Sequence, residues 1–171
     1  MDEVGFSLSL PLSYGWRPKG CPLNVPKHWG AAGRINLIGS LSCTKDTEQL
    51  EYHVLEERCY AQHVKTYLEA LAQEAERLTQ EVVVILDNAG FHRANLVKDE
   101  QDNWKARGLT LWFQPPYSPQ FNLIETVWKK LKGFLLPRRC YDTREQLLEA
   151  VLAVLDFLDA KAILQSLYGD A

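Results

Sequence analysis

Two acidic residues occupy positions from which their side chains could do chemistry. Asp87 directly follows the apolar run Val82–Leu86 and begins the sequence Asp-Asn-Ala-Gly. Ligands of α/β sheets bind beyond the carboxyl ends of strands, so a carboxylate at this point is a candidate ligand-binding group. The same four residues would also make an ordinary turn. Asp87 therefore needs a second residue to support a functional interpretation.

Glu125 is the candidate partner, because it falls in the first turn of a predicted helix, where a metal ligand would be held rigidly. Its ordinary alternatives are a capping box with Asn122 and an ion pair with Lys129, four residues further on. Asp2 is a third acid, at the start of the first predicted strand, where a plain polar terminus is the alternative.

Strands and a helix are predicted in the first half of the chain. Loose alternation over residues 4–10, and apolar or alternating runs over residues 35–42 and 50–55, predict three strands in an antiparallel meander. A Pro- and Gly-rich loop over residues 11–33 separates the first two. Apolar residues at three- and four-residue steps then predict an amphipathic helix over residues 60–78.

The second half alternates between strands and helices. The continuous apolar run Val82–Leu86 predicts a parallel strand covered on both faces. A polar helical stretch, a short strand over residues 109–113 and a proline-rich break at residues 114–119 follow. The next helix has an apolar stripe, and a capping box of Thr143 with Gln146 begins the last one, which runs to residue 158.

This order of elements predicts an α/β fold in one domain spanning residues 1–171, with a mixed sheet flanked by helices. Trp16, Trp29 and Trp112 are predicted to be packing residues. Trp104 and Trp128 are predicted to lie on the buried faces of helices.

Composition excludes several classes of protein. The 171 residues are 46% hydrophobic, which is enough for a core, and no apolar run is long enough to span a membrane. No signal peptide is visible, so we expect a cytoplasmic protein. The four cysteines are widely scattered and form no CxxC pair, which favours reduced thiols over disulfides or a zinc site.

Two basic regions stand out in a chain whose net charge is only −3. Residues 4–45 include Arg17 and Lys19 and contain no acid, and no acid follows Glu125 before Arg139. Lys129 and Lys132 share roughly the helix face of Glu125. These basic residues could bind DNA phosphates, and solvated surface is the alternative.

Two longer motifs resemble a known family. ILDNAGFH at residues 85–92 and PPYSPQFNLIETVW at residues 115–128 resemble the second and third catalytic blocks of mariner-type bacterial insertion-sequence transposases. DEVGF at residues 2–6 resembles the first block, and WRPKG at residues 16–20 resembles the tryptophan-containing loop of the family. The resemblance covers nearly the whole chain in the correct order.

This resemblance implies a DDE endonuclease on a ribonuclease H-like fold with a five-stranded mixed sheet. Asp2, Asp87 and Glu125 would hold two Mg²⁺ or Mn²⁺ ions about 4 Å apart, with Asp2 bridging them. In this family, water cuts double-stranded DNA at the transposon end, and the freed 3′-hydroxyl then attacks target DNA, typically at TA. The partners implied are DNA and a second copy of the chain in a homodimer.

Residues near the three acids are interpreted from the same family motifs. Asn88 and His92 match the second block, and His92 could orient a carboxylate, approach the scissile phosphate or simply pack beside the loop. Asn122 is interpreted as a helix cap. The helix-turn-helix region usual in the family is expected to be absent from this chain, and Leu123 replaces the family's usual proline after Asn122.

Two other functions remain open on the sequence. One is a ribonuclease H-like nuclease without strand transfer. The other is a catalytically silent domain that binds DNA or protein.

The transposase would be nucleoid-associated in a bacterial cytoplasm when bound to DNA.

Overall fold

Five strands form the framework of the fold. The computed structural model describes residues 1–10, 18–21, 33–43, 48–116, 118–137 and 139–158. Strands β1 (Asp2–Phe6), β2 (Ile35–Cys43) and β3 (Glu48–Leu55) form an antiparallel sheet in that order. Strands β4 (Val82–Leu86) and β5 (Leu109–Phe113) form a parallel pair. The predicted meander and the predicted parallel strands are confirmed, but they form two sheets of three and two strands instead of one five-stranded sheet.

The two sheets meet where β1 lies beside β4. The Met1 amino group donates a 2.8 Å hydrogen bond to the Ile85 carbonyl oxygen, and the Asn122 side-chain amide donates to the Met1 carbonyl oxygen at 3.3 Å. The start of β1 is therefore fixed both to β4 and to the residue that precedes the next helix. This junction brings three distant parts of the chain together.

Helices cover the sheets from two sides. The helices are α1 (Ala61–Leu78), α2 (Asn95–Lys98), α3 (Gln101–Ala106), α4 (Leu123–Lys130) and α5 (Arg144–Phe157). A 3₁₀ turn over Pro119–Phe121 precedes α4, and a π-helical segment over Leu131–Leu135 continues it. The mixed α/β architecture predicted from the order of elements is confirmed.

Each side of the sheets has its own hydrophobic core. On one side, Val64 and Leu68 of α1 pack with Val84 and Leu86 of β4 and with Trp104 of α3. On the other side, helices α4 and α5 pack against β1 and β2; their buried residues include Ile124, Val127, Trp128, Leu147 and Val151. Trp104 and Trp128 are buried, as predicted.

The prediction that β4 is covered on both faces is wrong. Val83 is 59% exposed and Ile85 45%, and Trp112, which is paired with Ile85 in the β4–β5 register, is 64% exposed. Helices α4 and α5 pack over β1 and β2, and no helix within the described ranges covers this face of β4 and β5. The prediction that Trp112 is a packing residue is wrong for the same reason.

One local prediction changed and another is confirmed. The first strand occupies Asp2–Phe6 instead of residues 4–10, because Asp2 already pairs with Gly39 and Phe6 with Ile35, the first residue of β2. At the start of α5, Thr143 accepts a hydrogen bond from the Gln146 backbone, as predicted.

Trp16, Trp29 and Arg17 lie outside the described residues.

No helix in the described part of the chain is long and apolar enough to cross a membrane. None of the four cysteines forms a disulfide there.

Candidate active site

Asp87 is held at the end of β4 by contacts with its own loop. The Gln114 backbone N–H donates to the Leu86 carbonyl oxygen at 2.9 Å, which ties the end of β4 to the segment after β5. Asp87 Oδ1 accepts a 2.9 Å hydrogen bond from the Ala89 backbone and contacts His92 Nδ1 at 2.7 Å. The turn considered for this sequence is thus present, and it orients the carboxylate.

His92 links Asp87 to a residue that the sequence did not single out. The His92 side chain is completely buried, and its Nε2 lies 2.8 Å from Glu3 Oε1. Burial disfavours the charged imidazolium, but the hydrogen bonds to Asp87 and Glu3 outweigh it and raise the pKa of His92 to about 9. His92 is therefore a buried cation between two carboxylates, and its hydrogen bond holds the pKa of Asp87 below its usual value.

Glu3 could have been noticed from its position. It is an acid inside a short strand of otherwise mostly apolar residues, where its side chain is directed away from the side on which Asp2 lies. A carboxylate buried in that way requires a partner, but nothing in the sequence identifies that partner as His92.

Asp2 lies at the first position of β1, opposite Gly39. Burial, together with the nearby carboxylates of Glu3, Glu125 and Asp87, raises the pKa of Asp2 to about 7. Glycine is required at position 39, because a Cβ there would lie 2.8 Å from the Glu51 carbonyl oxygen and 3.2 Å from the Trp128 ring. Asp2 is thus electrostatically coupled to both of the other predicted acids.

Glu125 lies between two cavities. It lines a cavity of about 420 Å³ together with Asp87, Asn88 and Gln114, which we call the Gln114 cavity. It also lines a cavity of about 320 Å³ together with Asp2, Glu3, Trp128, Lys129 and Lys132, which we call the Lys132 cavity. The three predicted acids therefore border two adjoining cavities that share Glu125.

The Lys132 cavity combines acids with bases. Glu125 Oε2 lies 3.5 Å from Lys129 Nζ, so the ion pair weighed in the sequence is present. Burial lowers the pKa of Lys132, and the positive charge of Arg34 lowers it further. The Trp128 indole N–H is buried without a hydrogen-bond partner among the described residues. This wall offers donors and positive charge.

The Gln114 cavity has a different wall. Ala89, Pro115 and Pro116 provide apolar surface, and Ser118 is also present. The Asn88 amide donates to the Gln114 carbonyl oxygen, so Asn88 connects the loop after β4 to the segment after β5. Asn88 therefore supports the wall of this cavity.

The capping interpretation of Asn122 is wrong. Asn122 is the residue before α4, but its side chain accepts no hydrogen bond from the helix and instead donates to the Met1 carbonyl oxygen. Asn122 is buried there and fixes the start of α4 to β1. This contact positions Glu125 relative to Asp2. The capping box of Asn122 with Glu125 is absent for the same reason.

Of the two residues predicted to bind DNA in the N-terminal basic region, only Lys19 is among the described residues. Lys19 is exposed and lines neither of these two cavities. Arg17 lies outside the described residues.

The chemistry of these acids suits divalent metal ions. Within the described residues, no three acidic, histidine or cysteine side chains are already grouped as metal ligands. However, the available donors are carboxylate oxygens, which Mg²⁺ and Mn²⁺ prefer. Burial raises the pKa of Asp2 most, and the crowding of negative charge that adds to this effect would be relieved by a cation. The residues therefore fit such an ion.

Comparisons with known proteins point to one family. The chain matches the family model described as DDE superfamily endonuclease over residues 1–148. It is structurally similar to the Mos1 transposase paired-end complex with the left transposon end and to the Mos1 mariner paired-end complex with Mn, each at 17% identity and a TM-score of 0.64. Similarity to the Mos1 strand transfer complex gives 16% identity and a TM-score of 0.60. No curated protein sequence matches the chain.

These structural matches cover 95% of this chain and 48% or 49% of the Mos1 chains, so the chain spans about half of their length. At this level of identity they establish the fold, and the predicted ribonuclease H-like fold is confirmed. The family model covers most of the sequence. The chain belongs to the DDE endonuclease superfamily.

Proposed function

We propose that this chain is the catalytic domain of a mariner-type transposase, in which Asp2, Asp87 and Glu125 hold two divalent metal ions and cut DNA. The observation that carries the proposal is the position of Glu125, which lines one cavity with Asp87 and the adjoining cavity with Asp2. Mg²⁺ or Mn²⁺ bound there would activate the attacking water and stabilise the leaving oxygen.

The protein's own residues prepare the site. Both described contacts of the Asp87 carboxylate use Oδ1, so Oδ2 remains for a metal ion. His92 fixes the orientation of Asp87, and Asn122 fixes α4, and hence Glu125, against the start of β1. The charges of both other acids act on Asp2, which would bridge the ions. This arrangement requires no covalent enzyme intermediate.

The DNA backbone would lie along the basic side of the site. Lys129 and Lys132 line the cavity that contains Asp2, and their charges suit phosphates. Arg17 and Lys19 are proposed to extend the contact with DNA. The same metal-bound acids would serve strand transfer, with the freed 3′-hydroxyl in place of water and TA as the target. Joining two ends of an element would require a homodimer.

A plasmid assay tests the proposal. We expect the protein to nick supercoiled plasmid in Mn²⁺, and we expect Asp87→Asn and Glu125→Gln to lower the rate by more than about 100-fold, since loss of even a supporting residue costs about 10–100-fold. Glu149→Gln, an exposed acid on α5, is the matched control. Equal nicking by all variants, or no nicking by any of them, would refute the assignment, and the second result would favour a catalytically silent domain.

A joining assay separates the proposed activity from simple hydrolysis. A labelled duplex with a free 3′-hydroxyl is incubated with plasmid and Mn²⁺. We expect covalently joined products that depend on Asp87 and Glu125. Nicked plasmid without any joined product would instead favour a ribonuclease H-like nuclease without strand transfer.

A further inference from the structure

Two buried tryptophans differ in the hydrogen bonding of the indole N–H. The Trp104 indole donates a 2.9 Å hydrogen bond to Glu69 Oε2. The Trp128 indole is only 4% exposed, and its Nε1 has no hydrogen-bond partner among the described residues. A buried donor without an acceptor costs free energy, so one that persists in a folded protein requires an explanation. Trp128 lacks the acceptor that Trp104 already has.

The register of β1 and β2 places Trp128 beside Asp2. A Cβ built on Gly39 would lie 3.2 Å from Cη2 and from Cζ2 of the Trp128 ring. Cζ2 is bonded to the ring carbon that carries the indole nitrogen. Gly39 is the partner of Asp2 in the β1–β2 register, and paired residues of an antiparallel sheet present their side chains on the same face. The indole and the Asp2 carboxylate are therefore neighbours on one face of the sheet.

Both side chains line the Lys132 cavity, and the other two acids of that cavity already have partners. Glu3 contacts His92, and Glu125 forms an ion pair with Lys129. The Glu3 backbone supports the Asp2 carboxylate, but no side chain in the described part of the chain donates to it. Asp2 is thus the acid of this cavity that has acceptor capacity left for an indole N–H.

A small movement would join the donor to this acceptor. Paired positions in an antiparallel sheet lie about 5 Å apart, so rotation of the Asp2 side chain can bring a carboxylate oxygen toward an indole that lies over Gly39. A charged carboxylate accepts a stronger hydrogen bond than a neutral acid does. Carboxylates that hold metal ions are also commonly oriented by hydrogen bonds from other side chains.

We infer that Trp128 is a positioning residue for Asp2: when Asp2 holds a divalent metal ion, the Trp128 indole N–H donates a hydrogen bond to the Asp2 carboxylate. The inference rests on the proposed function, because it takes Asp2 to be a metal ligand. It also gives Gly39 a role at the site, since a larger residue there would displace the indole from its place beside Asp2.

Nuclear magnetic resonance of the indole N–H groups tests the inference directly. Tryptophan is labelled with ¹⁵N, and Mg²⁺ is added without DNA. The Trp128 signal is the one missing from Trp128→Phe, a variant that keeps an aromatic ring but removes the N–H. We expect Mg²⁺ to move the Trp128 N–H proton to higher chemical shift, the direction that a new hydrogen bond produces. The signal of Trp104, which is already bonded to Glu69, should stay in place.

Calorimetric titration with Mg²⁺ is the second measurement. Trp128→Phe should bind Mg²⁺ about 10–100-fold more weakly than wild type, the usual effect of losing a group that orients a metal ligand. Trp104→Phe is the matched control, because it also removes a buried indole N–H but should leave the Mg²⁺ affinity unchanged. If Trp128→Phe does not fold, the Trp128 signal is identified in wild type by elimination, with Phe variants of the remaining tryptophans.

Three results would overturn the inference. They are an unmoved Trp128 signal in protein that calorimetry shows to be loaded with Mg²⁺, an unchanged Mg²⁺ affinity in Trp128→Phe, and a signal that moves only when DNA is added. The third result would assign the N–H to a contact with DNA.

Each of these results leaves the proposed function standing if Mg²⁺ binding depends on Asp87 and Glu125. Absence of Mg²⁺ binding by wild type, or binding that is unchanged in both Asp87→Asn and Glu125→Gln, would instead refute the function and the inference together.

Discussion

The two cavities that meet at Glu125 differ in their walls. The Gln114 cavity is lined by neutral and apolar groups apart from its acids, whereas the Lys132 cavity contains two lysines and a buried indole N–H. Their supports differ as well. In the Gln114 cavity, Asp87 is held by its contact with His92, which in turn contacts Glu3. In the Lys132 cavity, the basic residues belong to helix α4 and its π-helical continuation.

The same acids therefore face two different surfaces. The acids at the junction are suited to metal ions and the basic wall to phosphates. A change on one wall should therefore affect one property of DNA binding and spare the other. The following predictions test this separation, beginning with the largest effect.

The first prediction concerns the buried charge of His92 in metal-free protein. The folded pKa of about 9 lies above the unfolded value of 6.5, so protonation of His92 stabilises the fold fully below about pH 6.5. This contribution, up to about 3 kcal/mol, is lost as the pH rises through about 9. Urea unfolding of wild type between pH 6 and 10 should show that loss.

His92→Gln provides the comparison, because it lacks the titrating group. Asp2 also titrates, but near pH 7, and its effect is common to both proteins. His53→Gln, an exposed histidine, should behave like wild type. Parallel pH profiles for wild type and His92→Gln would contradict a charged His92.

The second prediction concerns Glu3. Glu3→Gln weakens the contact that positions His92 and removes a negative charge near Asp2, and both changes disfavour a bound cation. We expect the Mn²⁺ affinity to fall by about 10–100-fold, as measured by isothermal titration calorimetry. Glu56→Gln, an exposed acid, is the control. Unchanged affinity in Glu3→Gln would show that the buried contact does not support the metal ligands.

The third prediction concerns Lys132 on the basic wall. Lys132→Gln should lower the affinity for duplex DNA by a few-fold and reduce the slope of log affinity against log salt by about one, because one phosphate contact is lost. Lys105→Gln, an exposed lysine on α3, is the control. An unchanged salt slope would remove Lys132 from the phosphate contacts.

The sequence predicted what depends on local pattern. Helix α1 and the strands β2 to β5 follow from apolar periodicity, and Asp87 and Glu125 were found because they stand at the end of a strand and the start of a helix. Family resemblance added Asp2, which local pattern alone would leave as part of a polar terminus.

The rest depends on contacts between distant parts of the chain. His92 and Glu3 are 89 positions apart, and Asn122 and Met1 are 121 apart, so no local pattern identifies either contact. Likewise, a continuous apolar run does not reveal which helices will cover it, which is why one face of β4 was predicted to be buried.

Direct measurement of metal binding tests whether Asp2, Asp87 and Glu125 hold two metal ions. Mn²⁺ binding is followed by electron paramagnetic resonance in wild type, Asp87→Asn and Glu125→Gln, with Glu149→Gln as control. We expect about two ions bound per wild-type chain, with magnetic coupling between them, and loss of at least one ion in each acid variant but not in the control. Identical Mn²⁺ binding by wild type, Asp87→Asn and Glu125→Gln would contradict it.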